Sequence, residues 1–144
     1  MKASLAPLLT TGLLLTGGIA QADALEARLY KNPSCGCCTA YARQMEARGF
    51  DVEVIDTQDI GSVKQAAGIP YGEGACHTIE LEGYVIEGHV PFAAIDRLLD
   101  ERPDIDGIGL AGMPTGTPGM PGPKQAPYEV KQFTDREASP WMTI

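Results

Sequence analysis

Hydrophobic and polar positions change period several times along this chain, and the changes predict an alternation of strands and helices. Leu25, Ala27 and Leu29 alternate with Glu26 and Arg28, the period of two expected of a strand over Leu25 to Tyr30. Asn32-Pro33-Ser34 follows as a turn and a cap for a helix whose formers run from Thr39 to Arg48 and stop at Gly49. Phe50, Val52 and Val54 share one face of a second strand, Phe50 to Ile55, and Ile60 to Ala67 reads as a short helix ended by Gly68-Ile69-Pro70. Thr78 to Leu81 and Tyr84 to Gly88 pair as a hairpin across Glu82-Gly83. Pro91 opens a last helix, in which Phe92, Ile95, Leu98 and Leu99 recur at spacings of three and four before Arg102-Pro103. The order strand, helix, strand, helix, strand, strand, helix predicts an α/β fold, a thioredoxin-like sandwich.

Beyond Pro103 the pattern dissolves. Residues 107–127 are dense in glycine and proline and read as a Gly/Pro/Met-rich C-terminal arm. Tyr128 to Phe133 alternates again as an added edge strand, and Asp135 to Ile144 reads as a tail. The expected organisation is a signal peptide over 1–22, a metal-binding domain over 23–106, the arm over 107–127, and an edge strand with tail over 128–144.

The leader follows from Lys2, the apolar run Leu5 to Ile19, and the small residues Ala20 and Ala22, with Ala24 offering a second cleavage point. That run is interrupted by Thr10, Thr11, Gly12, Thr16, Gly17 and Gly18 and is short for a membrane span. The expectation is therefore an exported protein whose mature chain starts at Asp23 or Leu25 and has no membrane span. The full sequence of 144 residues carries a net charge of −8, and losing Lys2 makes the mature chain more acidic still. An acidic chain of this size fits one domain and argues against nucleic acid as a partner.

The chemistry is concentrated in sulfur. Three of the four cysteines, Cys35, Cys37 and Cys38, fall within four positions, and the fourth, Cys76, precedes His77. Cys35 and Cys38 have redox-dithiol spacing at a helix start, where the N-terminal dipole favours a thiolate. Cys37 exceeds what such a dithiol needs. A thiolate cluster there also suits Cu(I), a soft ion that prefers sulfur. Two structural alternatives stay open: a Cys35–Cys38 disulfide, with Cys37 idle or paired to Cys76, and a zinc site completed by Cys76 and His77. In the predicted fold the Cys76-His77 loop lies beside the start of the first helix. Gly112-Met113-Pro114 and Gly119-Met120-Pro121 repeat on the arm and offer thioethers, which are soft ligands, or apolar side chains that pack on the domain.

Taken together, Tyr30-Lys31-Asn32-Pro33-Ser34-Cys35-Gly36-Cys37-Cys38, Ala75-Cys76-His77-Thr78, Gly83-Tyr84-Val85-Ile86-Glu87-Gly88-His89-Val90-Pro91 and the two Gly-Met-Pro segments resemble the CopG-like copper-resistance proteins, a metal-binding family. The likeness runs from about Tyr30 to Phe133. It implies a thioredoxin-like fold in the periplasm, copper held by Cys35, Cys37, Cys38 and Cys76, and cycling between Cu(I) and Cu(II). It also implies that His77, His89, Met113 and Met120 ligate the metal or line its site. Copper ions and other periplasmic copper-handling proteins are the partners it suggests. A thiol-disulfide oxidoreductase using Cys35 and Cys38 is the competing function.

Overall fold

The computed structural model describes residues 24–144, so the leader lies outside the described residues. Ten elements follow in order: β1 (Glu26–Lys31), α1 (Gly36–Ala47), β2 (Asp51–Asp56), α2 (Ile60–Ala66), β3 (His77–Leu81), β4 (Tyr84–Glu87), α3 (Phe92–Glu101), β5 (Gly107–Gly109), β6 (Glu129–Thr134) and β7 (Glu137–Thr143). One seven-stranded sheet has the order β2-β1-β3-β4-β5-β6-β7. β2 runs parallel to β1, β3 is antiparallel to β1, and β4 is antiparallel to β3. That is the thioredoxin-like arrangement expected from the element order, extended by three further strands. Among the described residues no helix is long and apolar enough to cross a membrane.

Alternation along the strands sorts the two faces of the sheet. Leu29, Ile79, Leu81, Ile86 and Ile108 are buried with Tyr41, Ala42 and Met45 of α1 and with Ala94, Ile95 and Leu98 of α3. Burying side chains of this size contributes roughly 1.5–3 kcal/mol each. On the opposite face Thr78 and Glu87, paired across the β3–β4 hairpin, meet Lys64 of α2.

Three segments depart from the expected pattern. α1 begins at Gly36, ahead of the helix formers, because the Cys35 side chain is the cap and accepts from the Cys38 N–H at 3.4 Å. Ser34 does not cap: its hydroxyl donates to Asn32 Oδ1 at 2.6 Å inside the turn. Within the expected arm, Gly107–Gly109 is strand β5, whose glycines let it approach its neighbours: a Cβ on Gly109 would lie 2.3 Å from the Phe133 ring. The expected tail is strand β7, which makes β6 an interior strand. Asp135 and Arg136 take φ of 53° and 64° in a two-residue turn, and Thr134 pairs with Glu137. β7 carries Pro140 beside a bulge in the β6–β7 pairing, and Trp141, Met142 and Ile144 pack against the core.

Candidate metal centre

Three short segments meet at one end of the sheet because strand register puts them there. Lys31, the last residue of β1, pairs with His77, the first of β3, so the turn leading into α1 faces the loop that carries Cys76. Thr78 pairs with Glu87, and the chain leaving β4 therefore delivers His89 to the same end.

Cys35 and Cys38 form a disulfide, one of the alternatives left open by the sequence, while Cys37 and Cys76 are free thiols. Cys37 Sγ lies 3.4 Å from Cys35 Sγ and 4.0 Å from Cys76 Sγ. The four sulfurs all fall within 4.8 Å of one another. Cys76 also belongs to a second set, with His89 Nε2 at 3.0 Å and His77 Nδ1 at 3.6 Å. The two imidazoles meet edge to face at 4.7 Å and pack on Tyr41.

Burial decides the charge state of these donors. Desolvation, with Cys37 beside it, pushes the Cys76 thiol up to about 12. Burial holds His77 well below the usual imidazole range, and the neighbouring His89 and the Lys64 ammonium act in the same direction. Burial also lowers His89, opposed by its bond to the Pro118 carbonyl. Near neutrality both imidazoles are uncharged and keep a lone pair for a metal. His77 Nε2 is buried without a hydrogen-bond partner. An incoming cation would displace the Cys76 proton, the ordinary coupling of thiolate coordination to proton release.

Around the donors lies a set of supports that the sequence reading did not single out. Glu87 has no exposed surface; its carboxylate accepts from the Ala75 N–H at 2.6 Å and the Thr78 hydroxyl at 2.7 Å, and pairs with the Lys64 ammonium. It thereby fixes the residue next to Cys76. Lys31, also buried, reaches the Asn32 and Pro33 carbonyls and pairs with Asp56 at 2.9 Å, bracing the turn before Cys35. Tyr41 donates to the Val90 carbonyl at 2.7 Å. An acidic residue inside the apolar strand Tyr84-Val85-Ile86-Glu87 was the one available signal for Glu87.

The arm closes the outer side. Pro118 O lies 2.7 Å from His89 Nδ1, which assigns the proton to that nitrogen and leaves Nε2 facing Cys76. Gly119 is pressed so closely on α1 that a Cβ there would lie 2.6 Å from the Cys37 carbonyl. Met120 lines a groove of about 560 Å³ with Ala40 and Gln44 of α1, whereas Met113 is 54% exposed. The cysteine and histidine donors form the two sets, and both methionines lie on the covering arm.

A thioredoxin-like sheet with four cysteine sulfurs and two imidazoles at its strand ends is a fold carrying a soft-metal donor set, and by the comparison with solved structures the chain belongs to the CopG-like copper-resistance proteins. Two solved structures, entitled copper resistance protein copG form 2 and form 1, are each 38% identical to it. Both comparisons cover 84% of this chain and 98% of the other, with TM-scores of 0.77 and 0.76. Residues 74–120, which hold Cys76, His77, His89 and the arm to Met120, match the family described as a protein of unknown function, DUF411. No curated protein matches the sequence.

Proposed function

We propose that this chain is a periplasmic copper-binding protein of copper resistance and homeostasis. Reduced Cys35, Cys37, Cys38 and Cys76 hold Cu(I), with thiolates bridging more than one ion. The observation that carries the reading is the sharing of Cys76 between a four-sulfur set and a two-imidazole set. Sulfur favours Cu(I) and imidazole accepts both oxidation states, so a copper ion at their junction has the ligands to pass between Cu(I) and Cu(II). His77 and His89 are the nitrogen ligands in this reading, and Met113 and Met120 of the arm are the further thioether ligands. Other periplasmic copper carriers would deliver or receive the ion at the same mouth. Zinc is the weaker fit, because an exported chain works where thiols oxidise unless a soft ion protects them.

The test is an anaerobic Cu(I) titration of the fully reduced protein, with metal and protein quantified together. The expected result is more than one copper per chain, reduced by Cys35→Ser/Cys38→Ser; an unchanged stoichiometry in that double variant would overturn the reading.

One observation favours a second function, thiol-disulfide exchange: the Cys35–Cys38 bond sits at the N-terminus of α1. Metal-free protein that reduces insulin, with the activity lost in Cys35→Ser, would establish that function instead.

A further inference from the structure

Closing the Cys35–Cys38 disulfide removes two sulfurs from the four-sulfur set but leaves Cys37, Cys76, His77 and His89 untouched. Of these, Cys76, His77 and His89 are already gathered, their ligand atoms within 4.8 Å of one another. His89 Nε2 and His77 Nδ1 stand 3.0 and 3.6 Å from Cys76 Sγ. The Pro118 carbonyl fixes the His89 proton on the far nitrogen and leaves Nε2 facing the Cys76 sulfur.

We propose that the disulfide form has its own site for a single Cu(I), made by Cys76, His89 and His77, so that one cysteine pair sets the copper capacity of the chain. The inference rests on the copper-binding reading above and adds a redox control to it.

The interconversion is ordinary thiol-disulfide exchange. The Cys35 and Cys38 thiolates attack a partner disulfide in turn; one sulfur–sulfur bond forms between them, the partner's bond breaks, and the partner leaves as two thiolates. The cysteine pair loses two electrons and the partner gains them, while copper stays Cu(I) throughout. Ions that had bridged Cys35 or Cys38 lose those ligands and are shed, and the ion held by Cys76 and the imidazoles is retained. A dithiol reductant reverses the exchange and restores the larger capacity.

The experiment compares wild-type protein in its disulfide and fully reduced forms. Thiol counting fixes each state, Cu(I) is titrated anaerobically against a chromophoric chelator, and X-ray absorption reports sulfur and nitrogen scattering. The disulfide form should show two free thiols and bind one Cu(I) with mixed sulfur and imidazole ligation, and the reduced form should bind more. Cys35→Ser/Cys38→Ser should hold one ion whatever the redox treatment. Cys76→Ser should lower the affinity of the disulfide form at least tenfold, and His89→Gln should remove an imidazole contribution from its spectrum. A disulfide form that binds no copper while the reduced form does, or one whose copper is indifferent to Cys76→Ser and His89→Gln, overturns this inference and leaves the copper-binding reading standing. Absence of binding in both forms overturns the two together.

Discussion

Glu87 shares its carboxylate among the Ala75 N–H, the Thr78 hydroxyl and the Lys64 ammonium, with no surface left to water. Removing one partner of a buried ion pair leaves the other charge stranded, at a cost of about 3–5 kcal/mol. Glu87→Ala should therefore lower stability by about 3 kcal/mol in urea unfolding. Glu87→Gln keeps an acceptor for Ala75 and should cost less. The histidines give the residue scale its pH dependence. Both fold with their protonation disfavoured, so the unfolded chain binds more protons than the folded one once the pH falls below about 6.5. The metal-free protein should lose stability as the pH drops from 6.5 through the folded values, by about 1.4 kcal/mol per unit while His77 stays neutral. Thermal melts between pH 7.5 and 5 measure this, and stability that is flat or rises toward acid would contradict it. At this scale the cysteines and Cys76-His77 were readable from crowding and adjacency alone. The supports were not: the His89 acceptor, the Pro118 carbonyl, lies 29 residues away, and backbone carbonyls leave no mark in a sequence.

Among the elements, the arm shows how an irregular segment can be tightly specified. Gly119 has φ of 78°, and its added Cβ would meet two backbone atoms, the Cys37 carbonyl at 2.6 Å and the Tyr41 nitrogen at 3.0 Å, which no rotamer change can relieve. Gly119→Ala should lift the arm from α1 and cost about 1–3 kcal/mol of stability. His89 would then lose its Pro118 acceptor, and Cu(I) affinity should fall about tenfold in chelator competition, the scale seen when an outer partner of a ligand is removed. The seven elements from β1 to α3 were legible because each carries a period or a run of helix formers and has a turn residue at its boundary, although the start of α1 was hidden by its cysteine cap. β5 was hidden because two of its three residues are glycines chosen for close approach, which read as loop. β7 was hidden because its turn uses Asp135-Arg136 where such a hairpin favours Asn-Gly or Asp-Gly.

For the molecule as a whole, the element order carried the four-strand core, and the three added strands follow from contacts distant in sequence. They also complete the core: Trp141, Met142 and Ile144 lie against it, and the Arg97 guanidinium stacks 4.8 Å from the Trp141 ring. Truncation after Thr134 should uncover this apolar surface and the full edge of β6, giving a chain that self-associates in size-exclusion chromatography where the intact one does not. What the intact sheet presents at its two flanks is different in kind. β2 offers Asp51, Glu53 and Asp56, and β7 offers Glu137 and, beside its bulge, Pro140, which has no N–H to lend. Charged side chains along one flank and a broken row of donors on the other discourage edge-to-edge pairing with a further strand. Growth of the sheet by strand addition is thus discouraged at both flanks, while Cys37, Cys76 and His89 stand on a third side, at the strand ends, where no edge is offered for pairing.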